Sequence, residues 1–254
     1  MIRASFVAAL LALSLTARAG EPWNGMTCAV CLTYDDALDV HLENVAPLLD
    51  SLWLRATFYL SNLSFAQRID EWRLAAARGN ELGNHTLFHP CEGKGRSWVQ
   101  PDYDLHAYTV TRMIDEIDMA NVLLRAIDGK TRRTFAYPCG DTKAGDSSYV
   151  GKIRERFPGA RGVEGKMQTI DAIDPYAIGA YMISGQSGDE LVGLVKQAME
   201  KHALLVFLFH GVGGGHDLNV SLDAHRQLLR FLAEKGNEIW VAPLLDIAEY
   251  MKKQ

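Results

Sequence analysis

Met26-Thr27-Cys28-Ala29-Val30-Cys31-Leu32-Thr33, continuing into Tyr34-Asp35-Asp36-Ala37, is a short apolar run that ends in an acidic pair. Lacking polar alternation, it fits a strand covered on both faces, as in a parallel sheet packed between layers. Carboxylates at the carboxyl end of such a strand stand where barrel folds put catalytic groups. Taken alone, the pair fits a plain turn at a strand end equally well.

Downstream of this run, helical and strand patterns alternate. Residues 41–52 carry Val45, Leu48, Leu49 and Leu52 at helical spacing, with Pro47 near enough to the start to be tolerated. Residues 55–60 read as a second strand, and residues 69–78 as a helix stopped by Gly79. Residues 90–108 are irregular, with Gly93, Gly95 and Pro101 among the exposed-type aromatics Trp98, Tyr103 and Tyr108. An amphipathic helix is expected over 109–127, with Ile114, Ile117, Val122, Leu124 and Ile127 at its apolar positions and Gly129 ending it. Further strands are expected at 135–137, 160–163, 203–209 and 239–242, and further helices at 147–157, 191–201 and 224–235. Strands alternating with helices require right-handed β-α units and a largely parallel sheet. No Pro/Ser-rich linker, charge block or short repeat divides the chain, so residues 20–254 are expected to form one α/β domain around one core.

The second cluster of chemistry is His85-Thr86-Leu87-Phe88-His89. Two histidines four apart place both imidazoles on one face of a helical turn. One nearby carboxylate then completes a three-ligand divalent-metal site with coordination positions left open, the arrangement of a catalytic metal. The same spacing is common among ordinary surface or core histidines. Here it comes with Asp35 and Asp36 upstream, a Pro138-Cys139-Gly140 turn later, and the apolar run 203–209 leading into His210. His210 could be a satisfied core histidine, but the glycines at 211 and 213–215 make an open rim around it. His41, His106, His216 and His225 have no motif support and are read as structural or surface residues.

In this order the motifs resemble those of the polysaccharide deacetylase family, the NodB-homology domain of carbohydrate esterase family four. Thr33 to Ala37 matches its T-F-D-D-G, His85 to His89 its H-[ST]-x-x-H, and Leu208-Phe209-His210 its L-x-H, while Phe135-Ala136-Tyr137-Pro138-Cys139-Gly140 is a degenerate F-R-P-P-Y-G. The resemblance spans roughly residues 26–250 and implies an irregular (β/α) barrel, often of seven strands rather than eight. It implies Asp36, His85 and His89 as ligands of Zn²⁺, with Co²⁺ or Ni²⁺ as alternatives that affinity order alone does not separate. It also implies Asp35 as general base, His210 as general acid, and the backbone N–H of Cys139 as a donor to the oxyanion. The implied reaction is hydrolysis of N- or O-acetyl groups on a polysaccharide or oligosaccharide. Aromatic faces stack on sugar rings, so Tyr137, Trp98 and Tyr103 are expected to face substrate; an ordinary loop pinned by its aromatics fits the 90–108 residues as well.

The departures from the family pattern are specific. Ala136 stands where the family carries an arginine that orients the catalytic aspartate. Arg161 is expected to supply that guanidinium from a neighbouring strand end, with Arg133 as the weaker candidate. The family's fourth motif is not recognisable in residues 165–179, which leaves the partner of His210 open. The first motif ends in Ala37 instead of glycine. Two other readings stay compatible: a cyclic-imide or allantoin-type amidohydrolase on the same fold, and a carbohydrate-binding protein with weak chemistry.

Arg3, the apolar run 6–15 and Ala17-Arg18-Ala19 describe a signal peptide ending at residue 19, too short to span a bilayer. A secreted or periplasmic location is therefore expected, with no lipid anchor, since no cysteine follows the cleavage site. Removing Arg3 and Arg18 takes the formal charge from −5 to −7. That charge offers no electrostatic footprint for nucleic acid or an anionic membrane. In an exported chain the four cysteines, Cys28, Cys31, Cys91 and Cys139, suggest disulfides. A Cys28–Cys31 bridge within one strand is awkward. Cys91 and Cys139 each follow a metal-site motif and are expected to be close enough to bridge.

Overall fold

The computed structural model describes residues 22–61 and 64–254, so the expected signal peptide at 1–19 lies outside the described residues. The central strand, β1 (Cys28–Asp35), is buried throughout. Beside it lie β2 (Thr57–Leu60), β3 (Glu81–Asn84) and β4 (Phe135–Ala136). Seven strands run side by side in the order Ala160–Arg161, β4, β3, β2, β1, Ala203–Phe209, Gln168–Thr169. All neighbours are parallel except the last pair. Ile239–Val241 pairs with the start of β1, and Tyr181–Met182 with the end of Ala203–Phe209.

The sheet curls on itself. Gly162 N donates to Ile178 O at 2.9 Å and Ile183 N donates to Leu208 O at 2.9 Å, so the segment 178–183 bridges the strands Ala160–Arg161 and Ala203–Phe209. This is the expected irregular α/β barrel with its run of seven strands.

Side-chain alternation along β1 sorts two cores. Val30, Leu32 and Tyr34 pack outward in a cluster with Leu191 and Val195 of the helix Gly188–Glu200 and Leu228, Leu229 and Leu232 of the helix Leu222–Glu234. Ala29 and Cys31 pack inward with Tyr59, Ala136, Val206 and Leu208. Asp35 stands on the inward series. Cys28 and Cys31, three apart, fall in different clusters, and neither is disulfide-bonded among the described residues. The helix Leu244–Met251, which the sequence reading missed, sends Leu244 and Ile247 into the inner cluster.

Buried Glu81 ties this end of the barrel together. Its carboxylate accepts from Thr57 Oγ1 at 2.8 Å, Leu245 N at 2.9 Å and Thr134 Oγ1 at 2.7 Å. The helix Leu244–Met251 also holds the first described residue, with Tyr250 Oη donating to Pro22 O at 3.0 Å.

Several element expectations shift for local reasons. The helix expected at 41–52 is a π-helical turn, His41–Val45, followed by Ala46–Ser51 with Pro47 in its first turn. The helix expected at 147–157 begins only at Val150, because Ser147–Ser148 pairs with Lys143–Ala144 in a tight hairpin. Val122 lies on the outer face of the helix Val110–Asp128 and is exposed, not part of the core. Tyr108 is buried, its hydroxyl donating to Glu116 at 2.8 Å, and is no exposed aromatic. No helix among the described residues is long and apolar enough to cross a membrane.

Candidate metal centre and active site

Strand register brings the polar groups together. Tyr34 pairs with Phe209 and Asp35 with Tyr59, which sets Asp35 level with His210 on one side and the end of β2 on the other. Asn84 pairs with Phe135 and Ala136 with Arg161, so His85, the Tyr137–Cys139 turn and Arg161 emerge at the same end. Five parallel strands thus deliver their carboxyl ends to one cavity of about 640 Å³, lined by Asp35, Asp36, His85, His89, Cys139 and His210 among others.

The two histidines do not sit on a helix as expected. They flank a loop after β3 in which Thr86 and His89 have φ of 65° and 51°. Side chains take over the backbone donors there: Asn84 Oδ1 accepts from Thr86 N at 2.9 Å, and Thr86 Oγ1 accepts from His89 N at 3.0 Å. Glu116, on the helix Val110–Asp128, accepts from Phe88 N at 3.3 Å. Gly83 is required in the approach to this loop, since a Cβ there would meet the Tyr59 ring at 2.4 Å.

The imidazoles still converge, with ring centroids 4.6 Å apart. Asp36 Oδ1 lies 3.8 Å from His85 Nε2 and 3.6 Å from His89 Nε2. Ligands at about 2.1 Å in a tetrahedron stand about 3.4 Å from one another, so one oxygen and two nitrogens at this spacing fit Zn²⁺ or a similar ion. His85 Nδ1 lies 2.8 Å from Ala136 O, and a carbonyl only accepts. The proton therefore sits on Nδ1 and leaves the Nε2 lone pair for a metal. Burial pushes the His85 pKa down to about 4, keeping the ring neutral at physiological pH. Burial raises the Asp36 carboxyl, but His89, His85 and His210 outweigh it and bring the pKa to about 2. Ser61 Oγ donates to Asp36 Oδ1 at 3.0 Å. Asp36 and Ala37 both have positive φ, 76° and 52°. The turn that presents Asp36 thus puts an alanine where glycine would be unstrained, at a cost of about 1 kcal/mol.

Asp35 is buried against Arg161. Arg161 Nη2 lies 2.6 Å from both carboxylate oxygens, and Nη1 donates to Gly162 O at 3.0 Å. Burial raises the Asp35 pKa, yet Arg161 and then His85 hold it below the usual carboxylate range. Arg161 is the register partner of Ala136, so the guanidinium stands one strand away from the alanine position. Arg133, the weaker candidate, is spent on Asp128 at 3.1 Å and Leu82 O at 2.6 Å.

His210 closes the other side, its Nε2 at 3.8 Å from Asp36 Oδ2. Burial lowers its pKa against the pull of Asp35 and Asp36. An acid so tuned releases its proton readily but carries it less often at neutral pH. His41 Nε2 donates to His210 O at 2.7 Å, and Asn44 Nδ2 donates to Val212 O at 2.8 Å, both from the π-helical turn. His216 stacks on the His210 ring and lines the cavity. The sequence reading set both histidines aside: His41 carries no motif, and His216 sits in a glycine-rich loop without periodicity.

Of the expected wall residues, Trp98 is exposed and lines the cavity. Tyr103 stacks on Phe88 at 5.3 Å and lines an adjoining depression instead, one that Trp98 shares. Tyr137 borders the cavity, but it is buried and its hydroxyl donates to Tyr176 O at 3.1 Å, so only its flank is offered. Cys91 and Cys139 are disulfide-bonded, with Cα atoms 5.9 Å apart. The bridge fastens the loop after His89 to the turn bearing the Cys139 N–H. Asp141 reinforces it, accepting from Glu92 N at 2.9 Å and from Arg96 Nη1 at 2.5 Å.

A family model described as polysaccharide deacetylase matches residues 26–150. A gellan lyase from Bacillus sp. is 24% identical over 90% of this chain, and the chain spans 10% of that protein's length and 35% of the YlxY protein of Bacillus subtilis. Among solved structures, a Mycobacterium smegmatis protein described as a polysaccharide deacetylase superposes with a TM-score of 0.66 at 13% identity, covering 90% of this chain and 91% of that one. A CE4-family pseudoenzyme from Bacillus anthracis superposes at 0.55 with 14% identity, covering 87% and 65%.

Proposed function

We propose that this chain, a divergent member of the polysaccharide deacetylase family, is a metal-dependent hydrolase removing N- or O-acetyl groups from a polysaccharide or oligosaccharide. The observation that carries this reading is the joint presence of a metal-fitting triad, an arginine-paired carboxylate and a histidine around one cavity. A divalent ion held by Asp36, His85 and His89 would polarise the acetyl carbonyl and make bound water acidic.

The protein's own groups do the rest. Asp35, ionised and aimed by Arg161, takes the proton of the attacking water. The backbone N–H of Cys139, fixed by its disulfide, faces the oxyanion. His210 protonates the departing sugar oxygen or nitrogen. Trp98 offers its face to a sugar ring. Residues 1–19 act as an export signal, a reading the Cys91–Cys139 disulfide supports because such bonds persist in oxidising compartments.

Acetate release by the zinc-loaded protein from chitin oligomers, peptidoglycan and acetylated xylan, with and without chelator, tests the reaction. Chelator-sensitive release from one substrate is expected and would choose amide or ester. Sugar binding without release would instead place the chain with its pseudoenzyme neighbour, and silence in both assays would favour the imide-type amidohydrolase. Amino-terminal sequencing of the exported protein is expected to begin at Gly20.

A further inference from the structure

We propose that His216 is a positioning residue for His210, holding that ring in its working orientation through the face of its own imidazole. The inference rests on the role given to His210 above. No hydrogen bond among the described residues orients the His210 side chain. Its Nδ1 is buried without a hydrogen-bond partner among the described residues. Its Nε2 lies 3.8 Å from Asp36 Oδ2, beyond hydrogen-bonding reach. The strand and His41 fix the main chain of His210, but neither fixes the torsions that swing the ring. A group that delivers a proton along one line loses rate when its ring turns away. A neighbour that can prevent this is His216, whose ring lies 4.9 Å from that of His210 with 22° between the planes, an offset stack.

His216 is itself held, although exposed. The loop carrying it folds back, with Gly211–Val212 pairing with Asn219–Val220. Leu218 N donates to His216 Nδ1 at 2.9 Å, and Gly214 N donates to Asn219 Oδ1 at 2.8 Å. Gly215, at φ 86°, lets the loop press on the residue before the π-helical turn: a Cβ there would meet Val40 Cγ2 at 2.8 Å. The ring is therefore a fixed plate rather than a free surface side chain. With Nδ1 accepting, the neutral ring carries its proton on Nε2.

Three variants separate the ring face from the loop bond. His216→Phe keeps a flat ring, His216→Asn keeps an acceptor near Leu218 N–H without a ring, and His216→Ala removes both. On whichever acetylated substrate is turned over, kcat is expected to fall about tenfold or more in the Ala and Asn variants with KM within about twofold, and to stay within about threefold of wild type in His216→Phe. Crystal structures should show the His210 ring rotated in the Ala and Asn variants and in place in the Phe variant. An active Asn variant beside a weak Phe variant would overturn the proposal, as would a rise in KM with kcat intact in all three. A wild-type protein without activity on any substrate counts against the function proposed above and leaves this inference to the crystals, where an unmoved His210 in His216→Ala rejects it.

Discussion

Arg161 crosses the barrel interior, past the Tyr59 ring at 5.0 Å, to reach Asp35. Removing it leaves a buried carboxylate without its cation, so Arg161→Ala is expected to lower stability by about 3–5 kcal/mol. Turnover should fall about a hundredfold as Asp35 loses its aim, while metal content by elemental analysis stays at wild-type level. Asp36→Asn should do the reverse: the fold survives, and bound zinc drops roughly tenfold or more after dialysis against micromolar ion. At this scale the sequence was legible where chemistry fixes residue type. Asp35, Asp36, His85 and His210 each stand at a strand end and His89 in the loop after β3, and the structure gathers them around one cavity. Arg161 was readable because Ala136 stands where the family pattern carries an arginine, and a buried carboxylate such as Asp35 demands a cation from a neighbouring strand. His41 and His216 were not, because a carbonyl contact and a ring stack leave no spacing or composition to find.

Among the elements, the loop that starts at β3 and the turn that follows β4 are fastened to each other covalently. The Cys91–Cys139 bond closes a loop of sequence separation 48, and the chain-entropy estimate for such a loop is about 4 kcal/mol. The double variant Cys91→Ala/Cys139→Ala is expected to lose up to that amount in a denaturant titration. Thiol titration of the denatured protein should find two reactive cysteines before reduction and four after, since the one disulfide among the described residues joins Cys91 to Cys139. Long strands and helices were legible from their apolar runs; Ala203–Phe209 falls on the expected residues. The His85–His89 loop was misread as helical because a spacing of four fits a helix, and nothing in the spacing reveals that Asn84 and Thr86 would capture the backbone N–H groups. Two-residue strands such as Gln168–Thr169 and Tyr181–Met182 have no pattern long enough to detect.

For the molecule as a whole, the buried histidines set an acid limit. Burial lowers His41 to about 4 and His225 to about 3, where its Nε2 meets Tyr34 Oη at 2.8 Å. A depressed folded pKa gives stability that is fully present above the unfolded value near 6.5 and is lost as pH falls toward the folded value. Each histidine should contribute a slope of about 1.4 kcal/mol per pH unit between roughly pH 6 and 4. Glu81, raised by burial, works the other way, favouring the fold as pH falls. Comparing wild type with His225→Asn isolates one term: urea midpoints across that range should flatten by one histidine's worth in the variant. The barrel class was legible from the alternation of strands and helices. Its closure by the segment 178–183 was not, since that segment pairs through scattered single bonds. The Tyr250–Pro22 contact has a practical corollary. The amino-terminal ends of the strands lie at the opposite pole from the cavity, where Pro22, the first described residue, meets Tyr250, four residues before the last. A short peptide joining them would allow the chain to be reopened in an exposed outer loop, giving a circularly permuted protein whose cleft is left untouched. By the same arrangement, a tether attached at either end would leave the cleft directed away from its support and toward a polymer in front of it.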